Sequence, residues 1–273
     1  MGNKYSVKYN PDKYRYAEEL INATEGIGAE GSEREYNRNL IKSKDRVAEH
    51  GEVYIPRWCV KDMMDLEGIK ESSFDLDKTF LEPACGNGNF LVQILARKLA
   101  VADQTDLYRD ILRAVATTYG VDILEDNVKE SRERLFELIL ARASDPDLHF
   151  ALTPDMEKSI KYVLCRNIIL GNMLTYEKIK EEINAGIDTS GMSAKEKKIA
   201  EREAKKNSVI DTRFGEDELS VSEWEFNLTS VTRKEYYMRD IDNVAFEYSP
   251  RSIYEVYKIK DGEAAGTQIS IDI

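Results

Sequence analysis

The sequence is poor in the residues that staple a fold by covalent or metal bonds. It holds three cysteines, Cys59, Cys85 and Cys165, far apart and odd in number. That spacing argues against a disulfide framework and agrees with a reducing compartment. Two histidines, His50 and His149, are too few for a His-rich zinc site, and neither C-x-x-C nor H-E-x-x-H occurs. No metal site is expected. No apolar run nears the roughly 20 residues that a membrane helix needs, and the opening MGNKYSVKYNPDKY has no signal-like apolar stretch. The expectation is a soluble, cytoplasmic protein with no membrane partner. Proline-rich linkers, serine-rich linkers and internal repeats are also missing.

What is present suits one substantial core. The 273 residues are 42% hydrophobic and 33% charged, enough for one large α/β domain with small appendages. The formal net charge is −12. Two stretches run against it, residues 1–15 and the basic segment 193–206, SAKEKKIAEREAKK. From residue 207 onward seven basic residues face fourteen acidic ones. A chain that grips a phosphate backbone by itself normally carries a basic surface. Tight DNA binding by this chain alone is therefore not expected.

Hydrophobic spacing gives a coarse order of elements. Residues 14–24 and 33–48 read as polar helices around the turn EGIGAEG. Residues 56–66 read as a helix with Val60, Met63 and Met64 on one side. Residues 79–83 read as a strand, 89–102 and 104–117 as helices, and 119–123 as a second strand. A helix over 125–143, a helical stretch over 155–164 and a strand over 167–170 follow. The alternation points to a largely parallel sheet covered by helices. Beyond Tyr176 the chain reads as charged and helical to 206. Residues 219–226 then alternate as a strand, and the terminal QISIDI reads as an edge strand.

The sharpest local signal is Phe80-Leu81-Glu82-Pro83-Ala84-Cys85-Gly86-Asn87-Gly88-Asn89-Phe90. An apolar strand runs into an acid–proline turn, then Gly-x-Gly, then a helix. Glycines at 86 and 88 allow tight or left-handed turns and close approach to a ligand. Glu82 ends a parallel strand, where open α/β sheets bind ligands. A carboxylate there suits a cationic ammonium better than a phosphate. The third glycine of a dinucleotide fingerprint is replaced by Leu91, and the GK[ST] of a phosphate loop is missing.

This string resembles motif I of the S-adenosylmethionine-dependent, adenine-specific (N6) DNA methyltransferases, roughly [DE]-P-x-C-G-x-G-x-F. Three further segments are similar to that family in order. His50-Gly51-Glu52-Val53-Tyr54-Ile55-Pro56 resembles H-G-x-[VF]-[YF]-T-P, which closes over the methionine end of the cofactor; Ile55 replaces the usual threonine. Gly120-Val121-Asp122-Ile123 looks like motif II, with Asp122 for the ribose hydroxyls; a strand-end aspartate capping the next helix is the alternative. Asn167-Ile168-Ile169-Leu170-Gly171-Asn172-Met173-Leu174 looks like motif III, with Asn172 reading the adenine ring; a plain turn asparagine is the alternative.

The resemblance implies an α/β, Rossmann-like methyltransferase fold with helices on both faces and an N-terminal helical extension. The resemblance spans about residues 44–175; with the rest read from pattern, the chain divides into that extension (1–45), the S-adenosylmethionine-binding core (46–175), a charged helical insertion (176–210) and a C-terminal completion of the sheet (211–273). The cofactor residues it implies are Tyr54, Pro56, Glu82, Pro83, Ala84, Gly86, Gly88, Phe90, Asp122, Ile123 and Asn172. It implies site-specific methylation of DNA, of the restriction–modification kind, with a specificity or companion methylase subunit as partner.

One part of the family pattern is missing. The target base is met by [DNS]-P-P-[YFW], and no two of the six prolines here are adjacent. Asn227, after the 219–226 strand, is the nearest positional candidate for a catalytic residue. Trp224 and Phe226 beside it read as core residues. The alternative function is a catalytically degenerate methyltransferase fold that binds cofactor as a regulatory, scaffold or decoy subunit.

Overall fold

A computed structural model describes residues 10–25, 41–179 and 218–259. Helix α1 (Pro11–Thr24) starts where the Asn10 side chain accepts from the Asp12 amide, with Pro11 in the first turn, and it buries Ala17, Leu20 and Ile21. Helices α2 (Lys44–His50), α3 (Arg57–Met64) and α4 (Ile69–Ser73) follow. Strand β1 (Phe80–Glu82) leads into α5 (Asn89–Val101) and α6 (Leu107–Ala116). Strand β2 (Thr118–Asp122) leads into α7 (Glu125–Ala143) and α8 (Pro154–Asn167). Strand β3 (Ile168–Asn172) and the two-residue β4 (Glu177–Lys178) close this part.

The sheet order is β1-β2-β3-β4, parallel up to β3 and antiparallel at β4. The gap of forty positions between Glu82 and Asp122 is filled by two helices, as the spacing suggested. Helix α5 is the centre of the core. Leu91, Leu95 and Leu99 are fully buried on it, and it packs on α1, α3 and α7 as well as on β1 and β2. Gly120 makes that approach possible: a Cβ there would lie 2.7 Å from Leu91 Cδ1 and 3.1 Å from Cys85 Sγ.

The opposite face of the sheet differs from expectation. Helices were expected on both faces. Val121 and Ile169 are covered instead by Leu219, with Val221 and Met238 packed beside them. These belong to, or flank, a second sheet of β5 (Ser220–Phe226), β6 (Ser230–Tyr237), β7 (Phe246–Glu247) and β8 (Arg251–Ser252), all antiparallel to β6. The Tyr119 hydroxyl donates to the Ser222 carbonyl at 2.6 Å. Trp224 Nε1 donates to Asn167 Oδ1 at 2.9 Å, so Trp224 is a core residue, as expected. The two sheets touch through the Glu177–Glu218 bridge. The C-terminal strands thus build a sheet of their own over the first.

Smaller differences have plain causes. Met63 is 45% exposed, because 100° per residue groups Val60 with Met64 and turns Met63 outward. The three cysteines read from the sequence as small buried apolar residues; Cys85 is buried, whereas Cys59 is half-buried and Cys165 exposed. Residues 177–178 are strand where helix was expected. The terminal QISIDI, the basic segment 193–206 and residues 26–40 lie outside the described residues. Among the described residues no helix is long and apolar enough to cross a membrane.

Two cations are buried on α5. Arg97 is paired with Asp65 and with the Met64 carbonyl, both at 2.7 Å. Lys98 meets only neutral acceptors in hydrogen bonds: the carbonyls of Lys78 at 2.7 Å and Thr117 at 3.0 Å, and the Thr117 hydroxyl. Burial pulls its amine down to about 7 from 10.5, with Asp75 and Asp77 opposing. A group with this depression holds its proton better in the unfolded chain. Stability therefore rises with pH from about 7 to the ordinary lysine value. Urea unfolding at pH 7 and at about pH 9.5 should show a higher midpoint at the upper pH, and Lys98→Met should flatten that difference.

Candidate functional site

A cleft of about 510 Å³ opens at the carboxyl ends of β1, β2 and β3, within the range of small-molecule sites. The β1–α5 loop forms one wall, and residues 51–55 arch over it. Tyr54, Glu82, Pro83, Ala84 and Gly86 line it, as do Phe90, Asp122, Ile123 and Asn172. Nine of the eleven expected residues are thus brought together. Pro56 and Gly88 do not line it. Pro56 opens α3, its carbonyl accepting from the amides of Cys59 and Val60 at 3.0 Å each. Gly88 serves packing: at φ +92° it starts α5, and a Cβ there would lie 2.9 Å from Ser131 Oγ on α7.

The loop is tied to the end of β2 at two points, the Cys85 amide donating to the Val121 carbonyl at 2.9 Å and the Gly86 amide to the Asp122 side chain, and Ser131 Oγ on α7 donates to the Gly86 carbonyl at 2.9 Å. The Gly86 amide donates to Asp122 Oδ2 at 2.8 Å, at a φ of +52° that favours glycine. Asp122 Oδ1 accepts from the Leu124 amide at 2.9 Å and from Asn127 Nδ2 at 3.3 Å. A carboxylate has about four acceptor sites; three are engaged, which leaves one on Oδ2. Asp122 thus closes the turn before α7 rather than capping its first turn, whose N-cap Leu124 carries no side-chain bond, and space remains for one further donor where two were expected.

Asn172 also caps a turn. Its Oδ1 accepts from the amides of Leu174 at 2.9 Å and Thr175 at 3.3 Å. Its amide nitrogen has no partner among the described residues and remains a donor for an acceptor ring nitrogen. Among the described residues Glu82 accepts only from the Ala84 amide, at 3.4 Å, and burial pushes its carboxyl above the ordinary value. A cation placed there would recover what burial costs this carboxylate. Asn87, also in the cleft wall, has a buried side-chain oxygen without a partner among the described residues. Burial, with Asp122 beside it, pushes the Cys85 thiol far up. Cys85 is therefore a packing residue and no nucleophile.

A clamp that the sequence did not reveal holds residues 41–56 on α7. Arg46 pairs with Glu52 and, at 2.6 Å, with Asp126. Lys42 reaches Glu130 at 2.7 Å and Asn127 Oδ1 at 2.9 Å. Asn127, 1% exposed, donates to Glu52 at 2.6 Å and accepts from the Tyr54 hydroxyl at 2.9 Å. Burial pushes the Glu52 carboxyl up, and Arg46, Asn127 and Tyr54 together hold it below its ordinary value. The Arg46 guanidinium, with Lys42, holds Asp126 at about 2. Apart from Arg46 and Glu52, six positions apart, these partners sit some 80 positions apart, and charge spacing along the chain carries no trace of such pairs. The only local signal was the acid pair opening α7.

Asn227 is not at this site. It is exposed at the β5–β6 tip, its amide donating to the Ser230 carbonyl at 2.9 Å. β5 begins near Gly171, at the carboxyl end of β3, and reaches Phe226 beside Thr79 and Thr117, at the amino ends of β1 and β2. Seven residues of strand span roughly 20 Å, so the next residue lies at the far end of the sheet. The catalytic expectation for Asn227 is withdrawn. Among the described residues no group of three or more His, Cys, Asp or Glu could hold a metal ion.

The chain is 40% identical over 73 residues to the type II restriction enzyme and methyltransferase RM.BcgI of Heyndrickxia coagulans. The match covers 27% of this chain and 10% of that protein. No family model and no solved structure matches.

Asn127→Ala removes the hub of the clamp and leaves Glu52 and Tyr54 short of a partner. A loss of about 1–3 kcal/mol is expected by urea unfolding. Because both carboxyls are held low, the clamp is complete above about pH 4 and weakens as pH falls toward 2.

Proposed function

We propose that this chain is the S-adenosylmethionine-binding part of a DNA adenine-N6 methyltransferase and depends on a partner for DNA recognition. The observation that carries the reading is the cleft itself. It combines a half-buried carboxylate with little competition from protein donors (Glu82), a glycine loop, one spare acceptor site on Asp122 and a spare amide donor on Asn172. That set fits an ammonium, a ribose hydroxyl and an adenine ring in sequence along one groove. It fits a triphosphate or a pyrophosphate poorly, since a desolvated carboxylate would face the anion. The partial likeness to a restriction–modification methyltransferase supports the same class.

The group would supply an electrophilic methyl; the residues named here would bind and orient it. Glu82 would neutralise the ammonium. Asp122 would fix the ribose. Tyr54, packed 3.4 Å from where a Cβ of Gly86 would stand, would keep water from the loop. The motif that positions the target amine is missing from the sequence, and Asn227 sits at the wrong end of the sheet to replace it. Positioning of this kind is worth roughly 7–11 kcal/mol of barrier. The chain alone is therefore expected to bind cofactor and to transfer the methyl to DNA orders of magnitude more slowly than a complete enzyme.

Titration calorimetry with S-adenosylmethionine and S-adenosylhomocysteine should give binding in the roughly micromolar range. Glu82→Gln should weaken S-adenosylmethionine by about tenfold to a hundredfold, the scale of a hydrogen bond to a charged group, without loss of fold. No heat at millimolar cofactor would overturn the assignment. A tritium-transfer assay on mixed-sequence DNA tests the second part; rapid transfer by the isolated chain would contradict partner dependence.

A further inference from the structure

Strand β1 carries the loop that shapes the cleft, yet it is an edge. Among the described residues it pairs with β2 alone. The Phe80 amide donates to the Thr117 carbonyl at 3.0 Å. In a parallel ladder the next residue then turns its N–H and C=O away, so Leu81 presents both to the open side. Its side chain is 43% exposed, while Tyr119, paired with it on β2, is 9% exposed. Parallel sheets are normally covered on both faces, and open edges are normally blunted. In open α/β sheets the ligand crevice lies where strands continue on the far side of such a strand. Among the described residues that wall is missing.

The flank of the edge is apolar and acidic together. Phe80 packs with Val60, Met64 and Ile94, which sets α3 beside β1. On the outward side of α3 and its extension, Trp58 is 54% exposed, Met63 45% and Leu66 56%. Residues 62–82 carry seven carboxylates and two lysines; Asp65 and Asp77 are paired with Arg97 and Arg113, while Asp62, Glu67 and Glu71 are exposed. This charge chooses between occupants. A second copy, with net charge −12, would set acid against acid, and DNA would do the same. A basic polypeptide is complementary.

We infer that a separate, basic protein chain adds a β-strand to the open edge of β1 at Leu81, closing the missing wall of the cleft. The geometry stands without the cofactor assignment; only the purpose of the added strand rests on it. The added strand runs beside β1, so one of its ends meets the cleft next to Glu82.

The test uses the full chain and a fluorescein-labelled peptide of about eight alternating lysines and valines, with a glutamate–valine peptide as control. Anisotropy should show binding of the basic peptide only. The Leu81→Pro variant, which keeps every charge and removes the outward N–H, should weaken it at least tenfold, whereas Leu81→Ala, which removes the side chain and keeps the N–H, should weaken it much less. Equal binding by the proline variant would reduce the effect to bulk charge and overturn the inference. So would equal binding of both peptides, or sedimentation showing that the chain dimerises through this edge. Should the proline variant fail to fold, hydrogen exchange on the unaltered chain decides. The basic peptide should slow the Leu81 amide at least tenfold and leave Phe80 unchanged; an unaffected Leu81 amide would overturn the proposal. Neither readout involves cofactor, so failure here and failure of cofactor binding are separable.

Discussion

The hydrogen bond from the Gly86 amide to the Asp122 carboxylate, 2.8 Å long, ties the β1 loop to the end of β2, and the geometry of the cleft follows from it. The bond requires Gly86 in a left-handed conformation that favours glycine. It places the Asp122 side chain in the interior, at 8% exposure. With it in place, Glu82 is held at the lip of the cleft and the Tyr54 ring closes over the loop. Asn127 then carries the same carboxylate into the clamp, so residues 41–56 and the glycine loop are positioned through one buried polar network. Such a network gains cooperativity when every member is satisfied, and it is costly when one is lost.

The two ends of the sheet have separate tasks. At the carboxyl end, small residues and turn-forming asparagines leave space for a ligand. At the amino end, the C-terminal sheet packs Trp224 and Phe226 against the core and locks the strands. A Cβ on Gly171 would lie 2.6 Å from Leu219 Cδ1, which shows how tightly the two sheets close near the cleft. What the fold leaves open is the outer side of β1.

Much of this was legible in the sequence, and the reasons are local. The strand–turn–helix around Gly86, the helix 125–143 and the strand ending at Asp122 each follow from short-range spacing, and the structure reproduces them within a residue or two. The adjacency of His50–Pro56, Glu82, Asp122 and Asn172 rested on the family resemblance, and the cleft unites most of those residues. What spacing could not convey was non-local. Nothing along the chain says that Lys42 and Arg46 meet Asp126, that Lys98 is buried without a hydrogen-bonded carboxylate, or that the 219–237 hairpin lies across the sheet. The Asn227 expectation failed for the same reason. Its place after a strand was read correctly, while the direction of that strand relative to the cleft is a tertiary fact.

The most direct test of the central claim is an amide NMR titration of the full chain with S-adenosylhomocysteine, followed by ATP. The Gly86 and Leu124 amides and the Asn172 side-chain amide are expected to shift saturably with the thioether nucleoside, and weakly or not at all with ATP. Equal shifts with both, or shifts confined to residues outside the cleft, would contradict that claim.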